Sequence, residues 1–236
     1  MKSPFEWKIS GLLGGLALLV PLVSGLVFSS SAHAQRAAAP AAGANAQGYW
    51  NIRWSDGNGF MTLAQDDGMY CGWYAITSGS YGWVGGTVAG NALHGSWDGI
   101  NDGGGGLVLN FQGNNITGTS GDTAAETTGH TLTGTRGRVG APYNFGRRWE
   151  GHWNGEASTL TLTQHGTTVT GTSAGSWTGP IEGVVQGNVL VAHFTDAANH
   201  ITGRFILTLS GTGDLRGASS NDRTACFGSY DLDYHR

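Results

Sequence analysis

The chain has 236 residues, a formal net charge of −4, and only 12% charged residues. No lysine follows Lys8, which excludes a Schiff-base lysine or a P-loop lysine in the rest of the chain. Binding to nucleic acid requires clustered cations that neutralise phosphates. We therefore expect no nucleic-acid partner for this weakly acidic chain.

The N-terminal segment predicts export. Lys2 and Lys8 precede or flank an uncharged apolar run over residues 9–28, and residues 32–34 read Ala-His-Ala. This order of charge, apolar run and small-x-small site is typical of a secretory signal peptide. We expect residues 1–34 to be cleaved, which gives a periplasmic or extracellular protein. The alternative is an uncleaved membrane anchor, since about 20 apolar residues span a bilayer.

The remaining chain divides into two β-rich modules with two connecting segments. An Ala-rich linker without hydrophobic periodicity covers residues 35–47, and the first module follows at 48–135. A linker with four arginines covers residues 136–148, and the second module follows at 149–236. The arginines are interpreted either as a solvated connector or as an anion-binding patch, since arginine clusters suit carboxylates and phosphates.

The two modules share a β-hairpin around a Gly-Asn turn. The residues of the two hairpins match at a constant separation of 97 positions: Gly86 with Gly183, Gly90 with Gly187, Asn91 with Asn188, Leu93 with Leu190, and Trp97 with Phe194. Gly and Asn are the residues that a tight hairpin turn requires. The motif Gly-Tyr-Trp-Asn at 48–51 also aligns with Gly-His-Trp-Asn at 151–154, which matches Trp50 with Trp153.

Each module contains seven or eight short runs in which large apolar residues alternate with Thr, Ser or Gln, separated by Gly, Asn and Asp turns. This pattern predicts an all-β protein of two tandem antiparallel modules, built as up-and-down barrels or as sandwiches. Thr-Gly-Thr at 117–119, 133–135 and 170–172 places glycine inside strands, as the curvature of a small barrel requires. Residues 98–106 are interpreted as a long glycine-rich loop.

The start of the second module resembles the opening of the avidin-type barrel. The shared features are Gly-His-Trp-Asn at 151–154, an alternating strand, a turn at 165–166 and Val-Thr-Gly-Thr at 169–172. Lipocalins share the closed meander. The resemblance implies a meander β-barrel of an exported bacterial protein. Among the biotin-binding side chains of avidins only Asn154 has a match, and Ser173 stands in place of a Tyr, so biotin binding is not implied.

Cys71 and Cys226 lie in opposite modules. An even number of cysteines in an exported protein predicts a disulfide bond between them. The alternative is two buried free thiols.

No catalytic or metal-binding signature is present. The histidines lack the spacing of a zinc site, Ser96 lacks a Gly-x-Ser-x-Gly setting, and no glutamate lies in a recognisable motif. We expect a non-catalytic protein that needs no metal and no cofactor.

The aromatic residues of the first module are the best indication of function. Trp73 and Trp83 have no counterpart of equal size in the second module, and Tyr74 and Tyr81 lie beside the same turn. An exposed aromatic platform suits sugar rings, although core packing explains these residues equally well. We expect a glycan to bind to these four residues. The alternatives are a barrel enclosing a small apolar molecule and a structural or inhibitory surface protein.

Overall fold

The computed structural model describes residues 45–100, 103–138, 140–211, 213–228 and 230–235. The predicted signal peptide and residues 35–44 of the Ala-rich linker lie outside these ranges. No helix among the described residues is long and apolar enough to cross a membrane.

The first barrel closes on itself through eight antiparallel strands, each paired with its neighbour in the chain and the last paired with the first. The strands are β1 (Gly48–Trp54), β2 (Gly57–Asp66), β3 (Met69–Ile76), β4 (Tyr81–Ala89), β5 (Ala92–Gly99), β6 (Gly103–Gln112), β7 (Asn115–Ser120) and β8 (His130–Arg136).

The second barrel has the same topology and closes by pairing its last strand with its first. Its strands are β9 (Arg148–Trp153), β10 (Glu156–His165), β11 (Thr168–Gly175), β12 (Gly179–Gln186), β13 (Val189–Asp196), β14 (Ile201–Leu209), β15 (Leu215–Ser220) and β16 (Tyr230–His235). The prediction of two tandem antiparallel barrels is confirmed.

Alternating side chains build the two barrel interiors. In β1, Trp50, Ile52 and Trp54 are buried, whereas Asn51 and Arg53 are exposed. Successive side chains of a strand point to opposite faces, so every second residue enters the barrel. The interior of each barrel therefore contains an apolar core.

The shared hairpin has the predicted form. Gly90 and Gly187 adopt positive φ angles of 63° and 60°, and each begins a two-residue turn between paired strands. Glycine adopts this left-handed conformation without steric cost.

The predicted match of Trp50 with Trp153 is wrong. Trp50 pairs with Met61, and Trp149 pairs with Leu160, in equivalent hairpins. The Nε1 atoms of Trp50 and Trp149 each donate a hydrogen bond of 2.9 Å to the carbonyl four residues earlier. Both hairpins have two-residue turns, so their strands align without any insertion. Matching Trp50 with Trp153 would require an offset of four residues that the turns do not contain. Trp50 therefore corresponds to Trp149.

The glycine run of residues 103–106 is not a loop, as the sequence suggested, but begins strand β6. Gly104 pairs with Asp98, and Gly105 pairs with Trp97. A Cβ atom at Gly105 would collide with the carbonyl of Gly121. Glycine is needed there because another segment of backbone lies directly against the strand.

The two barrels pack against each other through outward-facing residues. The apolar cluster between them contains Ala64, Met69, Cys71 and Trp83 from the first barrel and Val189, Val191, Ile206, Ala218 and Cys226 from the second. The predicted disulfide is confirmed: Cys71 and Cys226 are bonded, with their Cα atoms 5.4 Å apart. It joins the first barrel to the segment that precedes β16.

A buried ion pair also crosses this interface. Arg204 has no exposed surface, and its Nε lies 3.3 Å from Oδ2 of Asp66. The Arg204 guanidinium also donates to the carbonyls of Asp66 and Arg223, at 3.0 and 2.6 Å. His193 Nδ1 lies 3.1 Å from the same carboxylate. Burying a guanidinium is tolerable only because its donors find acceptors.

Two arginines of the predicted linker cover the ends of the barrel cores. The guanidinium carbon of Arg136 lies 4.2 Å from the ring centroid of Trp50, and that of Arg147 lies 5.2 Å from the ring of Trp149. Arg136 also donates to the carbonyls of Asn45 and Gln47. These contacts are stabilising cation–π and hydrogen-bond interactions within the fold.

Candidate functional site

The structure separates the four aromatic residues that the sequence suggested as one ligand site. Trp73 and Tyr74 are neighbours in β3, so their side chains point to opposite faces. Tyr74 enters the first barrel and is 1% exposed. Trp73 lies on the outer face, with its ring centroid 4.8 Å from that of Trp83 and 5.4 Å from that of Tyr81.

Trp83 packs in the interface between the barrels and is 4% exposed. This contact explains why the first module carries large outward-facing aromatics without counterparts in the second. Of the outer three rings, Tyr81 is the most accessible, at 36% exposure. With Trp83 covered by the second barrel, these rings do not form an open platform.

A cavity of about 490 Å³ occupies one end of the first barrel, where the β1–β2 and β3–β4 turns lie. Ligand pockets commonly have volumes of about 300 to 1,000 Å³. Its lining consists of Trp54, Ser55, Asp56, Tyr74, Ile76, Ser78, Gly79, Ser80, Trp97, Asp122 and His130.

Three inclined aromatic rings form the apolar wall of this cavity. The ring centroid of Trp54 lies 5.1 Å from Tyr74 and 5.8 Å from Trp97, with interplanar angles of 50° and 69°. The indole N–H of Trp54 donates to Ser120 Oγ at 3.1 Å, and that of Trp97 donates to the Gly121 carbonyl at 3.0 Å. Because both indoles are anchored at their polar edges, the apolar wall is pre-organised.

Among the described residues, the pocket at the corresponding end of the second barrel is much smaller. Trp177 fills that position, with its ring centroid 5.1 Å from Trp153 and 4.6 Å from Phe194, and the remaining pocket is about 140 Å³. Trp177 is the second residue after β11, and Ser78 is the second residue after β3. The first barrel thus has a small side chain at the position where the second has Trp177.

Polar side chains surround the opening of the first barrel. Ser55 Oγ lies 3.1 Å from His130 Nδ1, and His130 Nε2 lies 2.9 Å from Asp122 Oδ1. Ser78 Oγ donates to Asp56 Oδ2 at 3.3 Å. The lining therefore includes two carboxylates, those of Asp56 and Asp122, which can accept hydrogen bonds from hydroxyl or amine groups of a ligand.

Sequence reasoning missed these polar residues because they are far apart in the chain. Ser55 follows β1, whereas His130 begins β8 and Asp122 lies in the preceding connection. Barrel closure pairs Trp54 with Leu132 and so brings the two strand ends together. No local motif signals a contact that depends on pairing the first strand with the last.

Among the described residues, no group of three or more His, Cys, Asp or Glu side chains has the arrangement of a metal site. Comparison of the chain with protein-family models, with curated proteins and with solved structures found no match.

Proposed function

We propose that this protein is an exported binding protein that takes a small hydroxylated ring compound, of the carbohydrate class, into the cavity of the first barrel. The observation that carries the proposal is the contrast between the two barrel ends. Trp177 fills one, whereas the other is open over three aromatic rings, two of them anchored indoles, and has a polar rim. Keeping an aromatic cavity open costs stability that a filled core would supply.

The chemistry of the lining suits such a ligand. The apolar face of a sugar ring packs on indole rings, and here Trp54 and Trp97 line the cavity, with Tyr74 behind them. Sugar hydroxyls donate hydrogen bonds to carboxylates, which Asp56 and Asp122 supply at the rim. A hydrogen bond to a charged group contributes about 1.5 to 3 kcal/mol.

The proposed site differs from the predicted outer-face site. Tyr74 is common to both, whereas Trp73, Tyr81 and Trp83 serve the outer surface and the contact between barrels. The disulfide supports the export part of the proposal, because structural disulfides persist in oxidising compartments.

Saturation-transfer NMR with a panel of monosaccharides and their methyl glycosides tests the proposal. We expect at least one member to bind the unaltered protein and to lose its signal with Ser78→Trp, which copies the closed second barrel. Tyr81→Ala, which truncates an exposed outer ring, is the matched control and should bind normally.

Signals that survive Ser78→Trp but disappear with Tyr81→Ala would move the site to the outer face. Native mass spectrometry provides a second test, because it detects a ligand that copurifies with the protein. An apolar molecule that copurifies with the unaltered protein but not with Ser78→Trp would replace carbohydrate by an apolar ligand in the same cavity.

A further inference from the structure

Ser55, His130 and Asp122 form a continuous hydrogen-bonded chain at the edge of the cavity. The Ser55 Oγ to His130 Nδ1 distance is 3.1 Å, and the His130 Nε2 to Asp122 Oδ1 distance is 2.9 Å. All three residues line the cavity. A serine, an imidazole and a carboxylate within hydrogen-bond reach of one another are the parts of an activated nucleophile.

The partners determine which ring nitrogen carries the proton. An ionised carboxylate only accepts hydrogen bonds, so a neutral His130 carries its proton on Nε2 and donates it to Asp122. The Nδ1 atom is then unprotonated and accepts a hydrogen bond from the Ser55 hydroxyl. In this tautomer His130 is oriented to remove the Ser55 proton.

We infer that Ser55 is a nucleophile for acyl transfer, with His130 as general base and Asp122 as the positioning residue. The substrate class is a short-chain acyl ester of a ring alcohol whose body fits the cavity. This inference rests on the proposed function for the binding of the ring, and it goes beyond that function by adding hydrolysis. It also departs from the expectation of a non-catalytic protein, which was based on local motifs.

The reaction balances with water as the only co-reactant. Ser55 Oγ bonds to the ester carbonyl carbon while its proton passes to His130 Nδ1. The carbon–oxygen bond to the alcohol then breaks, and His130 returns the proton to the leaving oxygen. Water, deprotonated by the same nitrogen, attacks the acyl-serine, releases the carboxylic acid and restores the Ser55 hydroxyl.

The surroundings favour a modest rate. The side chains of His130 and Asp122 are 39% and 73% exposed, so solvent screens the charge that orients the imidazole. Ser80 lines the same cavity, and its hydroxyl can donate to an oxyanion formed there. General-base catalysis by a positioned side chain contributes about 100- to 10,000-fold.

Labelling with an alkyl fluorophosphonate probe, followed by peptide mass mapping, tests the inference. We expect stoichiometric labelling of Ser55, its loss in Ser55→Ala, and a decrease in rate of at least roughly 100-fold in His130→Ala. His165→Ala removes an exposed histidine of the second barrel and should label at the normal rate.

Asp122→Asn isolates the positioning role. Loss of the carboxylate lets His130 carry its proton on Nδ1, the nitrogen that faces Ser55, so the labelling rate should fall while the folded state, followed by circular dichroism, is retained. Asp122→Glu, which keeps the carboxylate, should restore part of the rate. The rate of p-nitrophenyl acetate hydrolysis should decrease in Ser55→Ala, His130→Ala and Asp122→Asn, in the same rank order as the rate of labelling.

Absence of Ser55 labelling between pH 6 and 9 in the folded protein would overturn the inference, as would labelling that is unchanged in His130→Ala. This failure is distinguishable from failure of the proposed function. Sugar binding without labelling removes only the hydrolytic step, whereas labelling without binding of any panel member leaves a reactive serine and removes the carbohydrate ligand.

Discussion

Ser78 and Trp177 occupy the same point in the two barrels, each two residues after the third strand of its own barrel. Trp177 lies inside the end of the second barrel and is 6% exposed, whereas Ser78 borders an open cavity. The two barrel ends therefore differ at this position by a large and a small side chain, and substitution at either position tests its effect on the cavity.

Trp177→Ser should destabilise the protein by about 3 kcal/mol. Replacing a buried tryptophan by a small residue commonly costs about 3 to 5 kcal/mol. The lower end of this range applies because the buried Nε1 of Trp177 has no hydrogen-bond partner among the described residues, so its removal also ends a desolvation cost. Urea unfolding measures the change, with Tyr81→Ala as the control. A loss below about 1 kcal/mol would show that Trp177 does not fill the barrel.

Asp66→Ala should cost about 3 to 5 kcal/mol, because it leaves the fully buried guanidinium of Arg204 without its carboxylate. Replacing both partners with apolar residues, as in Asp66→Leu with Arg204→Met, should restore most of that loss. Equilibrium denaturation of the single and double variants gives the comparison. A double variant as unstable as Asp66→Ala would contradict the assigned pairing.

Replacing both cysteines by serine should lower the free energy of unfolding by about 2 to 5 kcal/mol. The bond closes a sequence separation of 155 residues, so its loss releases a long loop in the unfolded chain. The far-ultraviolet circular dichroism should remain that of an all-β protein, because each barrel closes through its own strands. Loss of the β signal at low temperature in the variant would show that the barrels do not fold without the disulfide.

Asp98→Asn should stabilise the protein at pH 7. Burial, with repulsion from Asp231 as the smaller cause, raises the pKa of the Asp98 carboxyl. A raised folded-state pKa means that folding favours the protonated form, so the ionised carboxylate opposes folding above that pKa. The advantage of the variant should vanish below about pH 3.9, where aspartate is protonated in both states. Thermal unfolding of both proteins over a pH series measures this difference in stability, and a variant less stable than the unaltered protein at pH 7 would contradict the expectation.

The repeated hairpins were predictable because their signals are local. A Gly-Asn turn between alternating residues specifies pairing within a few positions, as at Gly90 and Gly187. The predicted match of Trp50 with Trp153 is wrong because the motif Gly-x-Trp-Asn begins β1 in the first barrel but ends β9 in the second.

The candidate site was less predictable because it depends on contacts between distant segments. Ser55 and His130 meet only when β1 pairs with β8. Trp83 has the pattern of an exposed aromatic on its own strand and becomes buried through the second barrel. The alternation of apolar and polar residues along a strand predicts whether a side chain faces the barrel interior or the outside. It does not predict which part of the outer surface is covered by the other barrel.

Isothermal titration calorimetry of the unaltered protein and Ser78→Trp, with the best-binding sugar of the panel, tests directly whether the ligand binds in the cavity of the first barrel. We expect one binding site per chain in the unaltered protein and no measurable heat of binding in the folded variant. Equal affinity and stoichiometry in both proteins would contradict the assignment of the site to the cavity of the first barrel.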